Sequence, residues 1–531
     1  MPDNMIDASK ENLKNHANMQ RSNLRRSSMV DKIASSRAPR CRLHTVLVAT
    51  VMVLVWGFFF WKIYSFNNSR SLMISDKPSS PHHQNAPQAE LPLLPQEINL
   101  EHLINLTHTP IFEYSRAVIN TEHFKGVRTE LTRINQRLLG PWTRVQETDI
   151  AAVKIPQTAP ITLQIPLPPR ADTRIFSFGM ATTVLRLHDS LSGVSHWMSN
   201  SQAQLHILAP SDENATEMET SMRKASINAT IHVDEKPFAQ RYISLLKTLY
   251  DERSINTRWL VLTDDDTFFP SIASLASHLT QNYDSRLSLL IGAMSDDLSV
   301  IGLYGLSASG GGGIFISIPL AEQVLQEPTW SKCLVLAHDE GDELLNDCLN
   351  RFTSVRPVFD RALHQMDIYN GEGSSPEAGY LESGRELLSI HHWKTWFEFY
   401  VAQGAAVALA TGSEGIFQRW LFDGDTVLSN GYSIVEYPRA GDYGGITEKE
   451  LAEVEYTWNE GDPEELWRYV HMMGPLRPRK TSERKRSARL FDAVGILAPE
   501  GRAIRQIYVE KSQINTAFRP RERVVELVWL I

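Results

Sequence analysis

The sequence predicts an α/β layered domain with a largely parallel sheet, followed by a smaller β-rich C-terminal lobe. Three observations carry that reading. Short apolar runs alternate with segments of helical spacing from Thr173 to about Met294. "RWLVLT", Arg258 to Thr263, is hydrophobic without a break, as a strand covered on both faces must be. Beyond about Phe397 the helical spacing fades into apolar runs separated by Gly, Pro and Asp.

The elements follow in order. "TRIFSFGMA" from Thr173 reads as a first strand and "AQLHILAP" (Ala203 to Pro210) as a second. Tyr242, Ile243, Leu245, Leu246, Leu249 and Tyr250 recur at helical spacing. "RWLVLT" is the third strand. A helix is expected to start at Pro270, a residue favoured at the first helical position, and to run through "SIASLASHLTQ". "RLSLLIGAM" is a fourth strand. In the C-terminal lobe "GYSIVEYP", "EVEYTW", "IRQIYVEK" and "RVVELVWLI" read as strands. The basic run "RPRKTSERKRSAR" reads as a solvated loop, with a processing site at Lys485-Arg486 or a patch for an acidic partner as the less favoured readings.

The first 170 residues have a different character. "TVLVATVMVLVWGFFFW" is free of charge, and Leu43 to Tyr64 is long enough to span a hydrocarbon core of roughly 30 Å. Arginines crowd its N-terminal side, including Arg21, Arg25, Arg26, Arg37, Arg40 and Arg42, so the positive-inside rule leaves the N-terminus in the cytosol. The run begins too late and lacks the small-residue cleavage site of a signal peptide, which favours a signal anchor. Ser65 to about Gln96 is rich in Ser, Pro, Asn and Gln and reads as a stem. Helical patches such as Val127 to Leu139 come next, then a proline-punctuated connector from Pro156 to Pro169. The expected organisation is a tail over 1–42, an anchor over 43–64, stem and connector over 65–170, the α/β domain over 171–398 and the β-rich lobe over 399–531.

Composition bounds the function. Over 531 residues the net charge is −9, with 42% hydrophobic and 22% charged residues, which suits folded domains and argues against a nucleic-acid binder. Three cysteines make no disulfide scaffold. Cys333 and Cys348 either pair in an oxidising compartment or stay as two buried thiols. Cys41, at the edge of the anchor, reads as an idle thiol ahead of a palmitoylation site. Sequons at Asn67, Asn105, Asn214 and Asn228 all lie beyond the anchor.

The chemistry concentrates at Asp264, Asp265 and Asp266, which end the third strand. Three adjacent carboxylates repel one another and are costly to desolvate without a partner. A solvated turn would explain them, as would a divalent cation held by oxygen ligands. They lie at the carboxyl end of their strand, where sheets of this kind bind ligands. No Lys or Arg lies within the triplet or just after it. Four stretches follow: "SASGGGGIFIS" (Ser307 to Ser317), whose glycines allow close backbone approach; "AHDEGDELLNDCL" (Ala337 to Leu349), with acids ahead of a helical run; "LHQMDIYNG" (Leu363 to Gly371); and "LLSIHHWKTW", with adjacent His391 and His392, imidazole being compatible with Mn²⁺.

In this order, over roughly Thr173 to Trp396, these motifs resemble the Fringe-like β1,3-glycosyltransferases, particularly their fungal and plant relatives. A basic tail, one signal anchor and a stem also match glycosyltransferases of the Golgi. The resemblance implies a GT-A fold, a Rossmann-like nucleotide-sugar-binding domain. It implies a UDP-sugar donor, Mn²⁺ (or Mg²⁺) dependence, inversion at the anomeric carbon and a glycan or glycoprotein acceptor. Localisation would be a Golgi or other secretory-pathway membrane, with the catalytic domain lumenal.

Carried over to this chain, the resemblance makes Asp266 the direct metal ligand. Asp264 is a further candidate ligand, and Asp264 and Asp265 face ribose or water. His391 or His392 completes the metal site; the motif does not distinguish them. Asp342 takes the place of the catalytic base, with Glu343 in reserve. Gly311, Gly312 and Gly313 shape the donor and acceptor cleft. Three alternatives stand beside this: a non-catalytic carbohydrate-binding protein on the same fold, a metal-dependent nucleotide-sugar phosphohydrolase, and a structural Ca²⁺ loop.

Overall fold

The computed structural model describes residues 111–146, 159–367, 381–394, 399–439, 445–455, 474–478, 485–498, 501–510 and 522–531, with a few positions between them. The expected tail, anchor and stem up to residue 110 lie outside the described residues. Among the described residues no helix is long and apolar enough to cross a membrane.

The fold is mixed α/β. Its first sheet has seven strands: β1 (Phe176–Ala181), β2 (Gln204–Ala209), β3 (Ala229–Val233), β4 (Trp259–Thr263), β5 (Leu290–Gly292), β6 (Ile314–Ser317) and β7 (Val358–Phe359). They lie in the order β7-β5-β6-β4-β1-β2-β3. β4, β1, β2 and β3 run parallel, whereas β6 is inserted antiparallel between β4 and β5. The uninterrupted apolar run of β4 is explained by its position: all five residues are buried, with helices packed over both faces. The helices around this sheet include α1 (Val184–Met198), α2 (Ala215–Lys224), α3 (Phe238–Asp251), α4 (Ile272–Asn282), α5 (Ile318–Leu325) and α6 (Gly341–Phe352).

Several elements differ from the sequence reading. β4 is the fourth strand of its sheet in chain order, because β3, too polar to stand out, precedes it. α4 begins at Ile272, not Pro270: the Ser271 side chain accepts the Ser274 N–H at 3.2 Å and caps the helix. The fourth expected strand is only Leu290–Gly292. No helix forms over Val127 to Leu139, where a short strand, Thr132–Ile134, pairs with Arg419–Phe422.

The β-rich part is the larger of the two sheets, with ten strands. It is also not built from the C-terminal segment alone. Ile111–Phe124, in the stretch read as stem and connector, runs parallel to Glu522–Leu530 and to Ile161–Pro166. A third, small sheet joins Val454–Glu455, Gly474–Arg477 and Tyr469–Val470. The basic run is not a solvated loop throughout. Arg477 bonds the Glu455 carboxylate at 2.9 Å, Lys485 lies 3.2 Å from Glu455, and both cations are buried. Buried cations need such carboxylate partners, and the Lys485 side chain is closed to a processing protease.

One hydrophobic core contains residues of both large sheets, from Phe178 and Trp197 to Trp420 and Trp529. Aromatic rings connect them: Phe268 lies 6.5 Å from Phe399, which lies 5.2 Å from Phe417 and 5.9 Å from Tyr432. Cys333 and Cys348 form a disulfide, which settles the choice left open by the sequence.

Candidate functional site

The site is assembled at the carboxyl end of β4. Beyond Thr263 the chain turns sharply, with the Asp264 N–H donating to Thr267 Oγ1 at 3.1 Å and the Thr267 N–H to the Asp264 carbonyl at 3.2 Å. Phe268 then pairs with Ile390 through two backbone hydrogen bonds of 2.8 and 2.9 Å. That bridge sets the residue after Ile390 against the residues before Phe268. His391 Nε2 accordingly sits 2.9 Å from Asp266 Oδ1 and 3.4 Å from Asp264 Oδ2. His392 lies with its ring tilted against that of His391, 3.8 Å between centroids. Its φ of 57° is the left-handed region, which a non-glycine residue adopts at a cost.

Asp266, His391 and His392 each offer one ligand atom, and these atoms lie within 4.8 Å of one another. An oxygen with two imidazoles suits Mn²⁺ and related ions. His392 Nε2 meets Asp367 Oδ1 at 3.0 Å, and His391 Nδ1 lies 3.2 Å from the Gln365 carbonyl. Such partners fix ring orientation in metal sites. Gln365 ties the array to the glycine run, since its Oε1 accepts the Gly312 N–H at 2.9 Å and its Nε2 donates to Asp367 at 3.3 Å.

The three aspartates differ in surroundings. Burial alone would raise the Asp266 carboxyl, but the hydrogen bond and charge of His391, with His392 and Lys394 behind them, bring it down to about 2. Burial would lower His391, yet Asp266, Asp264 and Asp367 carry it up to about 9. Asp264 goes the other way: desolvation and the like charges of Asp342, Asp266 and Asp265 outweigh His391 and push it up to about 7. Asp265 is held below its usual range, its burial offset by the Arg186 fork at 2.6 and 2.8 Å, by the Thr182 hydroxyl and by Lys394 at 3.4 Å. It faces these cations rather than open solvent. The local sequence had suggested no cation here; both come from distant segments.

Asp342 lies in the first turn of α6, half-buried. Its Oδ2 accepts the Gly310 N–H at 2.9 Å and its Oδ1 the Glu343 N–H at 2.9 Å. Burial raises its proton affinity against those two bonds, and Asp367 adds like charge. Glu343 turns toward His338, 3.6 Å away. Near both Asp342 and Asp264 stands Tyr242, whose buried hydroxyl has no hydrogen-bond partner among the described residues and whose proton is held well above the usual range by burial and both carboxylates.

Gly311, Gly312 and Gly313 are buried behind the histidines. A Cβ on Gly311 would fall 2.1 Å from His391 Nδ1, so only glycine lets this turn back the imidazole. Gly313 has φ +88°. Gly311 therefore backs His391 by direct contact, while Gly312 meets Ala293 and Gly313 meets Phe315.

A cavity of about 500 Å³ opens over the aspartates, walled by Ala181 to Thr183, Arg186, Phe238, Arg241 and both histidines. Its volume suits a small-molecule ligand. The sequence reading missed Thr182, Arg186, Arg241, Asp367 and Lys394. Asp367 lies inside a motif that it quoted. Thr182 and Arg186 follow the end of the first strand, where ligands of such sheets bind.

Fold and site together define an α/β protein with an acidic, histidine-flanked cleft at its strand ends. No family model and no curated protein matches the sequence. Solved structures that resemble the chain include mouse xyloside xylosyltransferase 1, 10% identical with a TM-score of 0.26, the match covering 34% of this chain and 84% of that one. They also include galactosyltransferase LgtC in complex with donor and acceptor sugar analogues (13% identical, TM-score 0.25, 35% and 74% covered). A third is the glycosyltransferase GlyE of Streptococcus pneumoniae (12% identical, TM-score 0.24, 35% and 45% covered).

Proposed function

We propose that this chain is a metal-dependent glycosyltransferase. It moves a sugar from a nucleotide-sugar donor, a UDP-sugar, to a hydroxyl of a glycan or glycoprotein, with inversion and a β1,3 linkage. The observation that carries the reading is the convergence of Asp266, His391 and His392 beside Asp342, at the strand end that opens into the cavity. The order of motifs noted in the sequence supports the donor class and linkage.

Asp266 and the two histidines fit a divalent ion, since one oxygen and two nitrogens converge and Asp367 orients His392. When bound, such an ion neutralises charge developing on a departing diphosphate. Arg186 and Lys394 hold Asp265 on the same loop and so fix the position of Asp266 next to it. Asp342 serves as the base: its raised proton affinity suits it to take a proton from the acceptor hydroxyl. As that oxygen bonds to the anomeric carbon, the bond from that carbon to the diphosphate oxygen breaks. The products are the glycoside and the nucleoside diphosphate, with the proton left on Asp342 for release to water. Tyr242 and the Gly310 N–H keep Asp342 in place.

The test uses purified full chain with a panel of UDP-sugars and acceptors. UDP release is expected to need both Mn²⁺ and an acceptor. Asp266→Ala is expected to abolish it, and Asp342→Asn to keep UDP binding while kcat falls about 10²- to 10⁴-fold. Full turnover in EDTA, or UDP-sugar hydrolysis indifferent to any acceptor, would overturn the assignment.

A further inference from the structure

The cavity has a second pole, opposite in charge to the aspartates. Arg241 lies in the first turns of α3, is only 7% exposed and lines the cavity. Its buried Nε has no hydrogen-bond partner. Among the described residues its one side-chain bond is a long one, from Nη1 to the Lys236 carbonyl at 3.4 Å. Among the described residues Arg241 forms no ion pair, although Glu235 is near enough to feel its charge; that carboxylate accepts the Ser211 N–H at 2.9 Å instead. Arg186 contrasts with it, since two of its three guanidinium nitrogens, Nε and Nη2, are committed to Asp265.

A buried guanidinium without a carboxylate is costly, and an anion from outside the chain would offset that cost. The helix that carries Arg241 adds to the demand. α3 has 14 residues, its N-cap is Pro237, and no side chain caps its first N–H groups. Phe238, the first residue of that helix, and Arg241 line the same cavity, at the helix's positive end. The carboxylate pole recruits a cation; this pole recruits an anion with several acceptor oxygens.

We propose that Arg241 and the N-terminus of α3 form a phosphate-binding subsite for the nucleoside diphosphate part of the donor, one that works without the metal. The inference rests on the donor reading above and assigns to it a second, independent hold on the phosphates. Arg241 supplies two parallel N–H donors to phosphate oxygens, a geometry that lysine cannot reproduce.

Titration calorimetry on the full chain in EDTA tests this, with UDP and uridine as the probes. Wild type is expected to bind UDP more tightly than uridine without any metal. Arg241→Gln should weaken UDP binding about 10- to 100-fold and leave uridine binding unchanged. Arg241→Lys, which keeps the charge and stem, should fall between the two and serves if the glutamine variant does not fold. Equal loss of UDP and uridine, or no loss of either, overturns the subsite while leaving the donor reading intact. Failure of wild type to bind UDP with or without Mn²⁺ overturns both.

Discussion

With Asp266 Oδ1 only 2.9 Å from its Nε2, the His391 imidazole keeps its proton up to about pH 9, so on the proposed reading a proton would compete with the metal ion for one nitrogen. The sign follows from the two shifts. The folded His391 value of about 9 lies above the ordinary 6.5, so its share of stability is complete below 6.5 and is lost as pH rises through 9. Asp266, brought to about 2 from 3.8, contributes stability that is present above 3.8 and lost as pH falls through 2. For this pair alone, the metal-free protein is therefore expected to be most stable between those windows, while Asp264, raised to about 7, works against stability as pH climbs from 3.8. Affinity for Mn²⁺ runs the other way, because binding must release the His391 proton. It should rise roughly tenfold per pH unit from pH 7 to 9 and then level off. Calorimetry in buffers of different ionisation enthalpy should count about one proton released at pH 7.5; a pH-independent affinity would remove His391 from the ligand set. At this scale the sequence was legible where residues of one kind cluster, as in the aspartate triplet and the histidine pair. Arg186, Arg241 and Asp367 were not, because each is an ordinary charged residue until the fold delivers it to the cleft.

Elements position these residues, and α6 shows how. Asp342 rides on its first turn, while Asn346 one turn later clamps Ala308 by accepting its N–H at 3.0 Å and donating to its carbonyl at 2.8 Å. The segment before the glycine run is thereby locked to the helix. Cys348, a further half-turn on, ties α6 to Cys333 in the helix Thr329–Leu334. The pair encloses a separation of 15 residues, for which loop closure in the unfolded chain accounts for about 3 kcal/mol. The double variant Cys333→Ala/Cys348→Ala is expected to lose that much stability in urea unfolding and to keep its Mn²⁺ affinity, since no metal candidate lies on α6. Unchanged stability on reduction would contradict it. Helices with strong apolar spacing, such as α3, could be read from sequence. β3 could not, because it is a half-exposed edge strand with polar residues, and Pro270 misplaced the start of α4 because Ser271 supplies the cap.

Across the whole molecule the decisive contacts join the two ends of the described chain. Tyr114 donates its hydroxyl to Glu526, 412 residues away, inside the parallel pairing of Ile111–Phe124 with Glu522–Leu530. No local pattern announces a partner at that distance, which is why the N-terminal stretch read as stem and connector and the last strand as part of a separate lobe. Removing 522–531 would strip Val524, Leu527, Val528 and Trp529, all fully buried, from between Ile111–Phe124 and Gly501–Glu510. Both neighbours would become unpaired edges deep in a core. Trp529→Ala alone is expected to cost about 3–5 kcal/mol, a large part of the roughly 5–15 kcal/mol of a folded domain. The effect should reach the candidate site, because Trp529 packs on Trp420 at 6.1 Å in the core that also holds Phe399 and Phe268, two residues from Asp266. A full chain ending at Arg521 is therefore expected to be degraded by dilute protease and to bind no Mn²⁺, while Trp529→Ala melts earlier but binds the ion once folded. Wild-type melting and Mn²⁺ affinity in the shortened chain would mean that the two sheets do not depend on each other.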